Sequence, residues 1–181
     1  MDSFRAAAAL SLLCLAFAAS GAPPAPQGRV SVRVRGRHGV VVRERGRSHA
    51  LDLTEQADAA RIEEVSVVFL TRKDESTYLV LDVCGMSKET SDDRQCGAGT
   101  ECNVVWLKLD GAWRVRGAQN VRYESCWAPV TSDEGPKVAG RRLKLALEDF
   151  RAEVRREVSY DADSPEAGLT VRESAIPTSN P

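Results

Sequence analysis

Two adjacent runs constrain this chain more than any other feature. Residues 65–72 (VSVVFLTR) and 77–84 (TYLVLDVC) are apolar at nearly every position, and only Lys73-Asp74-Glu75-Ser76 separates them. A strand with one wet face alternates apolar and polar residues; a strand covered on both faces does not. β-Branched and aromatic side chains dominate both runs, which favours a pleated backbone over a helix. The pair therefore predicts a hairpin placed centrally in a sheet or between two sheets.

The other segments repeat the strand theme. Val30, Val32 and Val34 alternate with Ser31, Arg33 and Arg35, and Val40–Val42 resume after the turn Gly36-Arg37-His38-Gly39, which predicts a first hairpin. Leu51 and Leu53 mark a short strand, and Thr54 is a candidate N-cap for a short helix or loop over 57–61. Asp110-Gly111 is a preferred two-residue type I′ turn. In that register Trp106 faces Val115 and Lys108 faces Trp113, so Val104, Trp106, Trp113 and Val115 share a face. A further turn at Gly117–Asn120 and a third strand, Val121–Trp127, complete a meander. Leu143, Leu145 and Leu147 alternate again. Residues 147–158 fit either helical or extended spacing, and the turn-like 161–168 (DADSPEAG) favours strands. The expectation is an all-β chain, a β-sandwich or partly open barrel of antiparallel hairpins, with at most one short helix. One domain over 29–175 and a frayed tail over 176–181 suit a chain of 181 residues.

The N-terminus points to a compartment. Arg5 precedes an uncharged run over 6–19 (AAAALSLLCLAFAA), too short to span a bilayer core and followed by small residues. Residues 1–20 read as a signal peptide and 21–28 (GAPPAPQG) as a Pro-rich spacer, so the mature chain is expected to be secreted or periplasmic, with no transmembrane span. Leu13 before Cys14 argues against lipidation there. Removing Cys14 leaves Cys84, Cys96, Cys102 and Cys126, an even set that suggests disulfides. The favoured pairing is 84–126 with 96–102, the latter closing a short Gly-rich loop. No C-x-x-C is present, and His38 and His49 lie far upstream, so neither a metal nor another cofactor is expected.

Chemistry is sparsely signalled. The two histidines read as surface residues, and no G-x-S-x-G elbow occurs. Asp82, inside an apolar run, is the one acid that stands out. It makes a carboxylate-dependent hydrolase the alternative function, and a protease inhibitor presenting the 96–102 loop is another. Asp161-Ala162-Asp163-Ser164-Pro165-Glu166 departs from a calcium loop at its sixth and twelfth positions, Glu166 and Arg172. Trp106, Trp113, Tyr123 and Trp127 could form an aromatic sugar platform or fill a core.

Charge is more informative. Net charge is −1, which makes nucleic acid an unlikely partner for the chain as a whole. Yet residues 28–49 hold seven Arg against one acid, and residues 148–173 hold eight acids against four Arg. Arg33, Arg35, Arg43 and Arg45 are the candidate anion-binding residues. The expected partner is an anionic polysaccharide or lipid headgroup, and the expected role is a binding or envelope-structural module rather than an enzyme. Ordinary solvated surface, or pairing with the acidic C-terminal strands, is the competing reading. Arg outnumbers Lys 20 to 5 along the chain, which lowers the weight of any single Arg cluster.

Overall fold

The structure is a computed structural model that describes residues 30–88 and 99–176. Among these residues the chain forms twelve strands, one helical turn and one 3-10 turn. The first three strands are β1 (Ser31–Arg35), β2 (Gly39–Glu44) and β3 (Arg47–Asp52), followed by α1 (Thr54–Ala57). Four longer ones come next: β4 (Arg61–Lys73), β5 (Ser76–Met86), β6 (Thr100–Leu109) and β7 (Val115–Ser125). The last five are β8 (Val130–Thr131), β9 (Lys137–Ala139), β10 (Arg142–Asp149), β11 (Val154–Asp161) and β12 (Thr170–Ala175). All pairings are antiparallel. They build three sheets: an N-terminal sheet β1-β2-β3, a middle sheet β4-β5-β6-β7, and a C-terminal sheet β12-β11-β10-β8 with β9 also on β10.

The two apolar runs become β4 and β5, and the reason for their composition is now plain. Along β5, Tyr78 and Val80 point one way and Leu79, Leu81 and Val83 the other; along β6, Val104 and Trp106 oppose Val105, Leu107 and Leu109. The first set packs with Leu143, Leu145, Leu147, Val158 and Tyr160 of the C-terminal sheet. The second packs with Val40, Val42, Leu51 and Leu53 of the N-terminal sheet and with Ala57 of α1. The middle sheet thus has a core on each face. Each fully buried Leu or Val contributes about 1.5–3 kcal/mol relative to exposure.

Several expectations change. Residues 147–158 are strand, turn and strand, as the turn-like segment after them suggested. The type I′ turn at Asp110-Gly111 does not form: Gly111 has no positive φ, and Leu109, not Trp106, pairs with Val115. Instead Asp110 organises a wider turn. Its Oδ1 accepts from Ala112 N and Arg114 N, each at 2.9 Å, and Trp113 N donates to Asp110 O. Trp113 takes the left-handed conformation (φ +62°) that a bulky residue rarely adopts. Its burial against the N-terminal core and a parallel stack on His49, centroids 3.9 Å apart, offset that cost. The turn placed at Gly117–Asn120 is likewise absent, because β7 runs through it unbroken. Strands β8 and β9 were not legible, being two and three residues long.

The disulfide pairing also needs correction. Cys84 is bonded to Cys102, not to Cys126. Cys84 and Cys102 stand directly opposite in the β5–β6 register, so strand pairing itself brings them together. Cys102 is therefore unavailable to close a 96–102 loop. Cys126 is disulfide-bonded as well. Cys96, residues 1–20 and the spacer 21–28 lie outside the described residues.

Candidate functional site

The N-terminal sheet has a wet outer face and an apolar inner one. Register assigns Ser31, Arg33 and Arg35 of β1, Gly39, Val41 and Arg43 of β2, and Ser48, Ala50 and Asp52 of β3 to the same outer face. The alternation read in the sequence creates this face: every second residue of β1 is Val and turns inward. Arg33, Arg35 and Arg43 are exposed. Arg33 stands opposite Val41, Arg35 opposite Gly39, and Arg43 between Ser31 and Ser48. No carboxylate pairs with any of the three among the described residues. The one acid on the face, Asp52, lies two strands from Arg35. It accepts from Thr54 N at 2.9 Å and from Thr54 Oγ1 at 2.6 Å, and these bonds hold its carboxyl below the usual range.

Val41 is only 7% exposed although it stands on this outer face. Arg33, Arg43, Ser31 and Val32 line the shallow recess beside it, of about 100 Å³. The aliphatic stems of the arginines cover apolar surface while their guanidinium groups stay in water. Arg45 does not join this face. It occupies the β2–β3 turn with Gly46, both at positive φ (+47° and +79°), the conformation that a two-residue hairpin turn requires and that glycine adopts freely. It lines a separate cleft, of about 530 Å³, with Val67–Arg72, Val138 and Arg141. The walls of that cleft include Glu44, 7% exposed, which accepts both guanidinium nitrogens of Arg72. That ion pair was not foreseen; Glu44 as the one acid in an Arg-rich hairpin was its only signal.

The four aromatic candidates do not make a platform. Trp106, Trp113 and Tyr123 are all at least nine-tenths buried. Trp106 and Tyr123 sit in the core under the C-terminal sheet, and Trp113 sits in the other core. Trp106 Nε1 donates to Pro165 O at 3.0 Å, and the half-buried Trp127 donates through Nε1 to Lys88 O at 3.0 Å. The wide turn at Asp110 sends Trp113 to the opposite side of the middle sheet from Trp106 and Tyr123, so the rings do not share one face.

Asp82 points into the core beneath the C-terminal sheet. Burial raises its pKa above the ordinary carboxylate range, the hydrogen bond from Tyr123 Oη at 2.8 Å opposes that, and the charge of Glu64 adds to it. Burial and the same bond push the Tyr123 phenol up. Asp82 and Tyr123 thus share a hydrogen bond, with the carboxylate of Glu64 near enough for its charge to be felt by both. The two histidines are engaged in the scaffold. His38 Nε2 lies 3.0 Å from Ala59 O, and His49 stacks on Trp113 with its pKa lowered chiefly by burial.

A second polar group sits at the α1 end of the middle sheet, where no local pattern announces it. Glu101, expected in an exposed loop, lies in β6 and is 1% exposed. It accepts from Ser87 Oγ at 2.8 Å and Cys126 N at 3.2 Å, and faces Arg122 Nε at 3.4 Å. Arg122 and Lys88 both reach Asp58, at the end of α1. Asn103 Nδ2 donates to Ala57 O at 2.8 Å. These contacts fasten α1 to the sheet and hold Glu101 in the interior. Residues 89–98 of that loop lie outside the described residues.

Among the described residues, no group of three or more His, Cys, Asp or Glu gathers in a metal-binding arrangement, and no helix is long and apolar enough to cross a membrane. The acids of the turn over Asp161–Glu166 meet cations from other elements: Asp161 pairs with Arg142, Asp163 with Arg141 and Glu166 with Lys73. No family model, no curated protein and no solved structure matches this chain, so any functional reading rests on these residues alone.

Proposed function

We propose that this chain is an exported, disulfide-stabilised β module that binds an anionic ligand through the outer face of its N-terminal sheet. Three exposed guanidinium groups without acidic partners, on one face of one sheet, carry this reading. Guanidinium is the side chain best suited to sulfate, phosphate and carboxylate, because its planar fork donates in parallel pairs. Export is supported by the character of residues 1–20 and by the disulfide Cys84–Cys102, a bond that persists in oxidising compartments.

The test is retention of the mature protein on a sulfated resin in a salt gradient. The wild type is expected to elute late and the triple variant R33A/R35A/R43A early, while R142A/R155A/R172A on the C-terminal sheet elutes with the wild type. Early elution of the wild type, or equal shifts in the two triples, would overturn the reading. For export, the mass of protein recovered outside the cytoplasm should correspond to a chain beginning near residue 20; a chain retaining Met1 would contradict it.

A further inference from the structure

Resting on that reading, we infer that the ligand is a linear acidic polysaccharide laid along β1, with successive charged groups met by Arg43, Arg33 and Arg35. Arg33 and Arg35 are two residues apart on one strand, hence about 7 Å apart along the face. Arg43 stands opposite Ser31, one step before Arg33 on the same face, which places it on the diagonal at about 7–8 Å. The three form a row rather than a ring. A row meets a chain of repeating charges better than it encloses one ion.

Three further observations select among anions. The recess beside Arg33 and Arg43 holds about 100 Å³, well below the roughly 300–1,000 Å³ of a small-molecule pocket. One charged group fits there; a whole cofactor-sized anion does not. Affinity must therefore be gathered over several contacts, as happens when a polyanion releases its counterions. The rest of the face is Ser31, Gly39, Val41, Ser48, Ala50 and Asp52. No aromatic ring is offered for stacking, which argues against single-stranded nucleic acid. No large exposed apolar residue is offered to a bilayer either, so a lipid surface would be held by charge alone, without the apolar insertion that strengthens interfacial binding. Flat, hydroxyl-bearing and cationic, the strip suits a hydrated sugar chain bearing sulfates or carboxylates.

The experiment measures affinity for heparin fragments of increasing length, for inorganic sulfate, for phosphatidylglycerol vesicles and for a thymidine 20-mer, each across a salt series. Affinity is expected to rise about tenfold or more from a disaccharide to an octasaccharide, and each single change (Arg33→Ala, Arg35→Ala or Arg43→Ala) should lower the salt slope by about one. A disaccharide or sulfate ion binding as tightly as the octasaccharide, with the same salt slope, would overturn the polymer inference and leave the anion reading standing. Tighter binding to vesicles or to the 20-mer would overturn it in favour of a lipid surface or nucleic acid. Octasaccharide binding unchanged in R33A/R35A/R43A would end both.

Discussion

The N-terminal and C-terminal sheets lie on opposite sides of the same middle sheet, and both turn an arginine-bearing face to water. They differ in what stands across from each arginine. On the C-terminal sheet Arg142 is opposite Asp161, Arg155 opposite Glu148, and Arg172 opposite Glu157. On the N-terminal sheet the partners are Val41, Gly39 and two serines. Opposite charges placed directly across a sheet stabilise it by a few tenths to about 1 kcal/mol a pair. The C-terminal face thus sets a carboxylate across from each of these arginines, with Arg142 in an ion pair with Asp161, and the N-terminal face sets none across from its own. Counting arginines does not distinguish the two; register does. The middle sheet also separates the basic and acidic segments, so the two faces do not neutralise each other.

The strongest way to challenge the comparison is to weaken the layer that both faces share. Changing Cys84 and Cys102 together to Ala removes a cross-link spanning 18 residues, at an expected cost of about 3 kcal/mol. In a domain of this size that lowers the melting temperature by roughly 6–12 °C, read by thermal denaturation. A double variant melting like the wild type would show that the β5–β6 pairing does not depend on the bond.

Next in size is the contrast between the two triple variants. R33A/R35A/R43A should lose about 10- to 100-fold in heparin affinity, given up to about 1 kcal/mol per exposed charge contact. Its melting temperature should stay within about 2 °C of the wild type, since these side chains support no pairing. R142A/R155A/R172A should show the reverse: affinity changed less than about twofold, and some stability lost with its cross-strand pairs.

A smaller effect would come from making the second face resemble the first. E148Q/E157Q/D161N removes the carboxylate across from each of three arginines on the C-terminal sheet. Retention on the sulfated resin should rise modestly in this variant. No rise would show that unpaired arginines alone are not enough, and that the row along β1 matters.

The smallest expected effect is a pH dependence set between the layers. Burial holds the Asp82 carboxyl above its ordinary range, so the folded state binds the proton more tightly than the unfolded one. Asp82 therefore lowers stability as pH rises from about 4 through its raised value, beyond which its effect is constant. Asp110 acts oppositely. The amide of Arg114 is the largest influence holding it at about 2, so its stabilising effect is present above pH ~4 and is lost as pH falls toward 2. Asp82→Asn keeps an acceptor for Tyr123 and should flatten the stability profile just above pH ~4. A profile unchanged by the substitution would remove Asp82 as its source.

Much of the architecture was legible because it is written locally. Alternation in β1 and β10, the double-sided apolar pattern of β4 and β5, and polar turns between them follow from the period of the pleat, which each segment carries in its own sequence. The positions of Arg33, Arg35 and Arg43 on one face follow from the same rule. What escaped the sequence depends on partners elsewhere. Whether Cys84 meets Cys102 or Cys126 turns on which strands are neighbours. Whether Trp113 joins Trp106 turns on one turn of unforeseen length, which keeps Trp113 inside the turn and sets Val115 opposite Leu109. Whether Glu101 is loop or core turns on where β6 begins.

The sequence by itself thus determined that the chain is built of strands, which of them must be covered on both sides, and which residues alternate outward. Only the tertiary structure decided which cysteines bond, which aromatic rings are buried, and which arginines stand across from a carboxylate. The physical reason is that backbone periodicity is a property of neighbouring residues, whereas pairing and neutralisation are settled by residues brought together from distant parts of the chain.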